Sequence, residues 1–122
     1  MTVLLVSAGG AVGAVLRYLI DRRVQQRSGS DFPFGTLTVN VVGSALLGFL
    51  TGLALSSGGA EAARSLVGIG LCGSLTTYST FGYETVRLFT ERARAHAVTN
   101  VLVTVCAGFA AAGAGLLAAQ AF

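Results

Sequence analysis

Long stretches without a single charged side chain constrain this chain more than any other feature. Residues 1–16, 32–60, 65–83 and 95–122 carry no charge, and Tyr18, Leu19 and Ile20 prolong the first run beyond Arg17. Each stretch reaches or approaches the roughly 20 residues that a helix needs to cross a hydrocarbon core. Only 11% of the 122 residues are charged, against about 25% in an ordinary soluble domain. The pattern predicts a single-domain (residues 1–122), all-α integral membrane protein with four transmembrane helices, at about 2–20, 34–57, 65–89 and 96–119. A cleaved signal peptide does not fit, because nothing basic precedes Arg17 and further apolar runs follow.

The connections then fall at Asp21–Asp31, Glu61–Arg64 and about Thr90–Arg94. All eight basic residues are arginine. Arg22, Arg23 and Arg27 lie in the first connection and Arg87, Arg92 and Arg94 at the third, with Arg64 alone on the other side. That bias favours cytoplasmic first and third loops and outside termini. It also accounts for the net charge of +3 without nucleic acid. Cys72 and Cys106 fall inside spans and read as small packing residues, and His96 reads as interfacial. No nucleophile–base pair, carboxylate dyad or phosphate loop is present, so the chain does not read as an enzyme.

Polar residues inside a span need a partner or a path for water, so they carry the functional signal. Gly9 and Gly13 form a GxxxG, which suits close helix packing. Arg17, about one turn from the end of the first span, either snorkels to the interface or lends positive potential to a vestibule. Asn40 lies roughly 9 Å into the second span; its carboxamide serves equally as interhelical glue or as an anion donor. In the third span Gly68, Gly70 and Gly73 precede a Ser/Thr-rich stretch from Ser74 to Thr80, a poor continuous helix. A break near Gly73–Thr76 falls near the bilayer midplane, where broken helices build ion sites. Tyr78 and Phe81, at i and i+3, share a helix face. The pair serves equally as ordinary packing or, with positive ring edges and with Ser79 and Thr80 beside them, as part of an anion path that lacks a full charge and so releases what it binds. Asn100 and Thr104, at i and i+4, face one way and read first as glue.

Three ordered motifs now stand together: Gly-Gly-x-x-Gly-Ala-x-x-Arg-Tyr from Gly9, Gly-Thr-Leu-x-Val-Asn-x-x-Gly from Gly35, and Gly-x-Leu-Thr-Thr-aromatic-Ser-Thr-Phe from Gly73. With the weaker Asn-x-x-x-Thr of the fourth span, they run through almost the whole chain. The sequence resembles the Fluc-type (CrcB) fluoride channel family. The resemblance implies a multi-pass protein of the cell membrane that passively exports cytoplasmic fluoride and lowers its toxicity. It implies an antiparallel dimer with two pores, and one structural, untransported sodium ion held by the backbone carbonyls of Gly73 and Thr76 from both chains. Asn40, Tyr78, Phe81, Ser79, Thr80 and Thr104 are the implied fluoride-pore residues, and Arg17 and Glu84 the implied vestibule.

The chain departs from the family in two respects. Tyr78 stands where the family usually has Phe, adding a hydroxyl that either lines or obstructs the pore. The arginine bias also sits awkwardly with a homodimer whose copies insert both ways. A homodimer is the favoured expectation, with pairing to an oppositely oriented paralogue as the other. A proton-coupled four-helix cation or drug exporter is the alternative from another class. It requires a carboxylate in mid-membrane, whereas Glu84 lies about one turn from its helix end. A non-transporting assembly subunit would leave Asn40 and the third span's break without a purpose.

Overall fold

The computed structural model describes residues 2–29, 32–57, 68 and 70–121. All regular structure among them is helical: α1 (Thr2–Ser28), α2 (Phe34–Ser57), α3 (Gly73–Leu75), α4 (Ser79–Thr90) and α5 (Arg94–Gln120). Three helices, Thr2–Ser28, Phe34–Ala54 and Arg94–Gln120, are long and apolar enough to cross a membrane. They coincide with the first, second and fourth expected spans. The second connection, Glu61–Arg64, and residues 65–67 and 69 of the expected third span lie outside the described residues. From Gly70 onward that span is a wide helical turn at 70–72, then α3, then α4.

The first helix outruns its expected end. Residues 21–28 continue α1 because Arg22, Arg23, Gln25, Gln26 and Arg27 are all good helix formers. Gly29 stops it with φ 59°, and its N–H donates back to the Gln25 carbonyl at 3.4 Å. Left-handed glycines commonly end helices, since they lack the Cβ that makes this conformation costly. Arg22, Arg23 and Arg27 therefore ride on a helical extension instead of a loop. Gln25 then fastens the entry to α2: its Nε2 donates to the Phe32 carbonyl at 2.9 Å, and its Oε1 accepts from Gly35 N–H at 3.1 Å. Phe32 also meets the His96 ring edge-on, 6.0 Å between centroids. The first and third connections thus lie at one end, as a four-span chain requires.

Small residues bring the backbones together. A Cβ on Gly115 of α5 would overlap the Ala45 carbonyl oxygen of α2 and lie 2.7 Å from the Phe49 nitrogen. Membrane helices gain little from burying apolar surface against each other, so close van der Waals packing of this kind holds them. Gly9 and Gly13 of α1 are both buried, and a Cβ on Gly13 would overlap Ser74 Oγ and the Leu71 carbonyl. Ser74 Oγ donates to the Gly10 carbonyl at 2.8 Å. The GxxxG of α1 is thus the seat for the segment from Gly70 to Leu75. Cys72 is buried in the same layer, while Cys106 is exposed on α5.

Candidate functional site

The polar centre of the molecule is built on the backbone of one residue. Asn40 of α2 holds Thr77 from both sides: Thr77 N–H donates to Asn40 Oδ1 at 2.8 Å, and Asn40 Nδ2 donates to the Thr77 carbonyl at 3.1 Å. Thr77 lies between α3 and α4, where the chain leaves helical geometry; Thr76 is extended, with φ −76° and ψ 156°. The local sequence favours that departure, because Ser and Thr hydroxyls compete for backbone groups. Thr76 Oγ1 donates to the Cys72 carbonyl at 2.9 Å, and Thr80 N–H donates to Thr77 Oγ1 at 3.2 Å. Of the two open readings of Asn40, interhelical glue is realised within the chain. A carboxamide nitrogen has two hydrogens, and the Thr77 carbonyl takes one, so a donor remains beside the cavity described next.

A cavity of about 630 Å³ opens along this segment. Asn40, Gly73, Thr76, Tyr78, Phe81 and Thr104 border it, together with Gly43, Ser44, Cys72, Thr77 and Gly108. Six of the residues singled out from sequence, drawn from α2, α5 and the segment between, thus meet at one place. The Tyr78 and Phe81 rings are 6.2 Å apart and inclined at 52°, a normal aromatic pairing. Tyr78 is 85% exposed, so most of its ring faces out of the protomer. A Cβ on Gly73 would meet nothing within 4 Å, which puts that glycine at the open side too. Thr104 hangs on buried Asn100, donating to its Oδ1 at 3.3 Å, while Asn100 Nδ2 reaches Thr85 Oγ1 at 2.9 Å. Asn100 is the clasp between α5 and α4.

Ser79 and Thr80 do not border this cavity, and neither do Arg17 and Glu84. Ser79 is exposed and Thr80 half-buried on α4. Glu84 borders a second, more open cavity of about 400 Å³ with Tyr18, Asp21, Arg22, Gln25 and Gln26. There it accepts a short hydrogen bond from Thr36 Oγ1. Arg22 borders the same cavity and donates to Tyr18 Oη at 2.9 Å; the guanidinium that acts electrostatically on Glu84 belongs to Arg87, and Arg17, one turn before Asp21, acts on Asp21. Thr77 is the residue that sequence reasoning passed over. Its type fits the Ser/Thr run, but no spacing rule links its peptide to an amide 37 positions earlier.

Fold and site define a class: a small multi-pass membrane protein whose intramembrane polar groups gather at one non-helical segment, beside an aromatic pair. Residues 4–116 match the family described as CrcB-like protein, Camphor Resistance (CrcB). The chain is 50% identical over 121 residues to the "Fluoride-specific ion channel FluC 1" of Streptomyces avermitilis, covering 99% of this chain and 98% of that one. It is 52% identical to the protein of the same name from Frankia casuarinae, at the same coverage. The Nocardia farcinica protein of that name is 50% identical over 91% of this chain and 75% of its own. This chain belongs to the CrcB family and is a multi-pass protein of the cell membrane. The named function of these relatives is non-enzymatic.

Proposed function

We propose that the chain is one half of a fluoride-selective channel that lets cytoplasmic fluoride leave passively and so limits its toxicity. The observation that carries this reading is the meeting of Asn40, Tyr78, Phe81 and Thr104 in one cavity, in a chain half identical to named fluoride channels. Fluoride is small and tightly hydrated, so a conducting path must replace its water with hydrogen-bond donors and positive ring edges. The spare Asn40 N–H and the tilted Tyr78–Phe81 pair are of that kind. Neither carries a full charge, so an anion that enters is free to leave. Ser79 and Thr80 on α4 continue the polar surface, and the cavity bordered by Glu84 and Arg22, near Arg17, is the vestibule. The segment from Gly73 to Tyr78 is the break in the third membrane helix, near the midplane.

Two chains in antiparallel arrangement complete the channel, and the open side at Tyr78 and Gly73 supports a partner there. The carbonyls of Gly73 and Thr76 from each chain would hold one structural sodium ion, which would supply charge and cross-linking without being transported. The donor set fits. In an unbroken α-helix these two carbonyls accept from the N–H groups of residues 77 and 80. Here those N–H groups go instead to Asn40 Oδ1 and Thr77 Oγ1. Carbonyl oxygens released in this way are hard ligands suited to sodium.

Anion efflux from proteoliposomes tests the activity. Fluoride is expected to leave rapidly, chloride at a small fraction of that rate, and neither with any dependence on a proton gradient. Equal rates would end the claim of selectivity, and strict proton coupling would favour an exporter. Orientation is a separate expectation. A tag at the C-terminus of the only copy expressed should be accessible from both sides of the membrane in comparable amounts. Accessibility from one side alone would exclude the antiparallel homodimer and leave pairing with an oppositely oriented paralogue.

A further inference from the structure

Thr77 uses every polar group it has on its neighbours. Its N–H and carbonyl are both taken by Asn40, and its hydroxyl oxygen accepts from Thr80 N–H. The residue itself is buried. Thr77 borders the cavity with Tyr78 and Thr104, but its polar groups are committed in this way, so the use of Thr77 lies elsewhere. The two N–H groups engaged around it are those that a rewound α-helix would return to Gly73 and Thr76.

We infer that Thr77 is the positioning residue of the cation site: its hydroxyl and its Asn40-bound backbone keep the Gly73 and Thr76 carbonyls open, although it contributes no ligand atom. The inference rests on the proposed sodium site and assigns the cause of its geometry. A partly buried N–H left without a partner is costly. Thr80 N–H therefore needs an acceptor, and the Thr77 hydroxyl is the one it has. With that oxygen gone, the nearest helical acceptor is the Thr76 carbonyl, and winding α4 back by part of a turn closes the bond. The carbonyl then points along the helix and is lost to the ion. Asn40 guards the other position in the same way, by holding the Thr77 N–H away from Gly73. One polar cluster thus joins the pore wall, through Asn40, to the cation site, through Thr77.

The test reads sodium binding instead of conduction. Thermal unfolding of the purified full-length protein in detergent is followed as sodium chloride replaces N-methyl-D-glucamine chloride at constant ionic strength. The native chain is expected to gain stability with sodium. Thr77→Val should need about tenfold more sodium for half the effect, the order expected from one intramolecular hydrogen bond. Thr77→Ser, which restores the oxygen, should return close to the native value. Thr77→Ala removes the same oxygen without the branched side chain and carries the test if the valine variant does not fold. A native sodium requirement in the valine or alanine variant overturns the inference. So does a uniform loss of stability at every sodium concentration, which marks a merely structural role. A native chain indifferent to sodium would instead fail the sodium site itself, and the inference with it.

Discussion

Asn40→Asp is expected to slow fluoride efflux from proteoliposomes by at least about a hundredfold, with the protein still eluting as the native assembly. Two physical effects act in the same direction. The carboxylate keeps an acceptor for Thr77 N–H but turns a second acceptor towards the Thr77 carbonyl, where Asn40 Nδ2 now donates at 3.1 Å. It also sets a negative charge on the wall of the cavity. Two unit charges about 4 Å apart repel by about 4 kcal/mol at an effective dielectric constant near 20, and each 1.4 kcal/mol is a factor of ten in occupancy. A hundredfold loss is therefore a conservative figure. Native efflux in this variant would remove Asn40 from the conduction path and leave it only the structural bonds.

Gly115→Val is expected to abolish the folded protein, and a smaller change two positions away should not. The Cβ of any residue at 115 would occupy the place of the Ala45 carbonyl oxygen. That oxygen belongs to α2 backbone and has no rotamer by which to withdraw. The helices would have to separate along their main contact, and overpacking costs of about 1–3 kcal/mol for an ordinary core methylene become a lower bound. At Gly113 a Cβ would meet nothing within 4 Å, so Gly113→Ala should behave as native or slightly better, given the higher helix propensity of alanine. The yield of monodisperse protein and its thermal midpoint read both outcomes. A well-folded Gly115→Val would show that α2 and α5 do not pack at this distance.

Spans were legible because they are written in one dimension. Charge-free runs of suitable length locate α1, α2 and α5 to within a few residues, except where α1 runs on to Ser28. That extension was hidden because arginine and glutamine suit a helix as well as a loop, and only Gly29 marks its end. Asn40, Tyr78 and Phe81 were legible for a related reason: an amide within a span and two rings on one face are conspicuous against apolar surroundings. The surroundings of Glu84 were less so. Arg17 is the more conspicuous arginine because it interrupts an apolar run, yet Arg22, on the helical extension, borders the Glu84 cavity.

What the sequence determined by itself is therefore the medium and the cast. Too little charge for water means a membrane, and a membrane makes each polar residue a commitment that needs a partner. Who partners whom was decided only in three dimensions. The sequence left Asn40 equally a clasp and a donor, and it gave Thr77 no special standing among its neighbours. The folded chain joins the two through two hydrogen bonds across 37 positions, because close packing on Gly13 of α1 and Gly43 of α2 brings the α3–α4 segment alongside α2. Hydrogen bonds are short-ranged and directional. Composition can require them, but only the packed backbone can choose their ends.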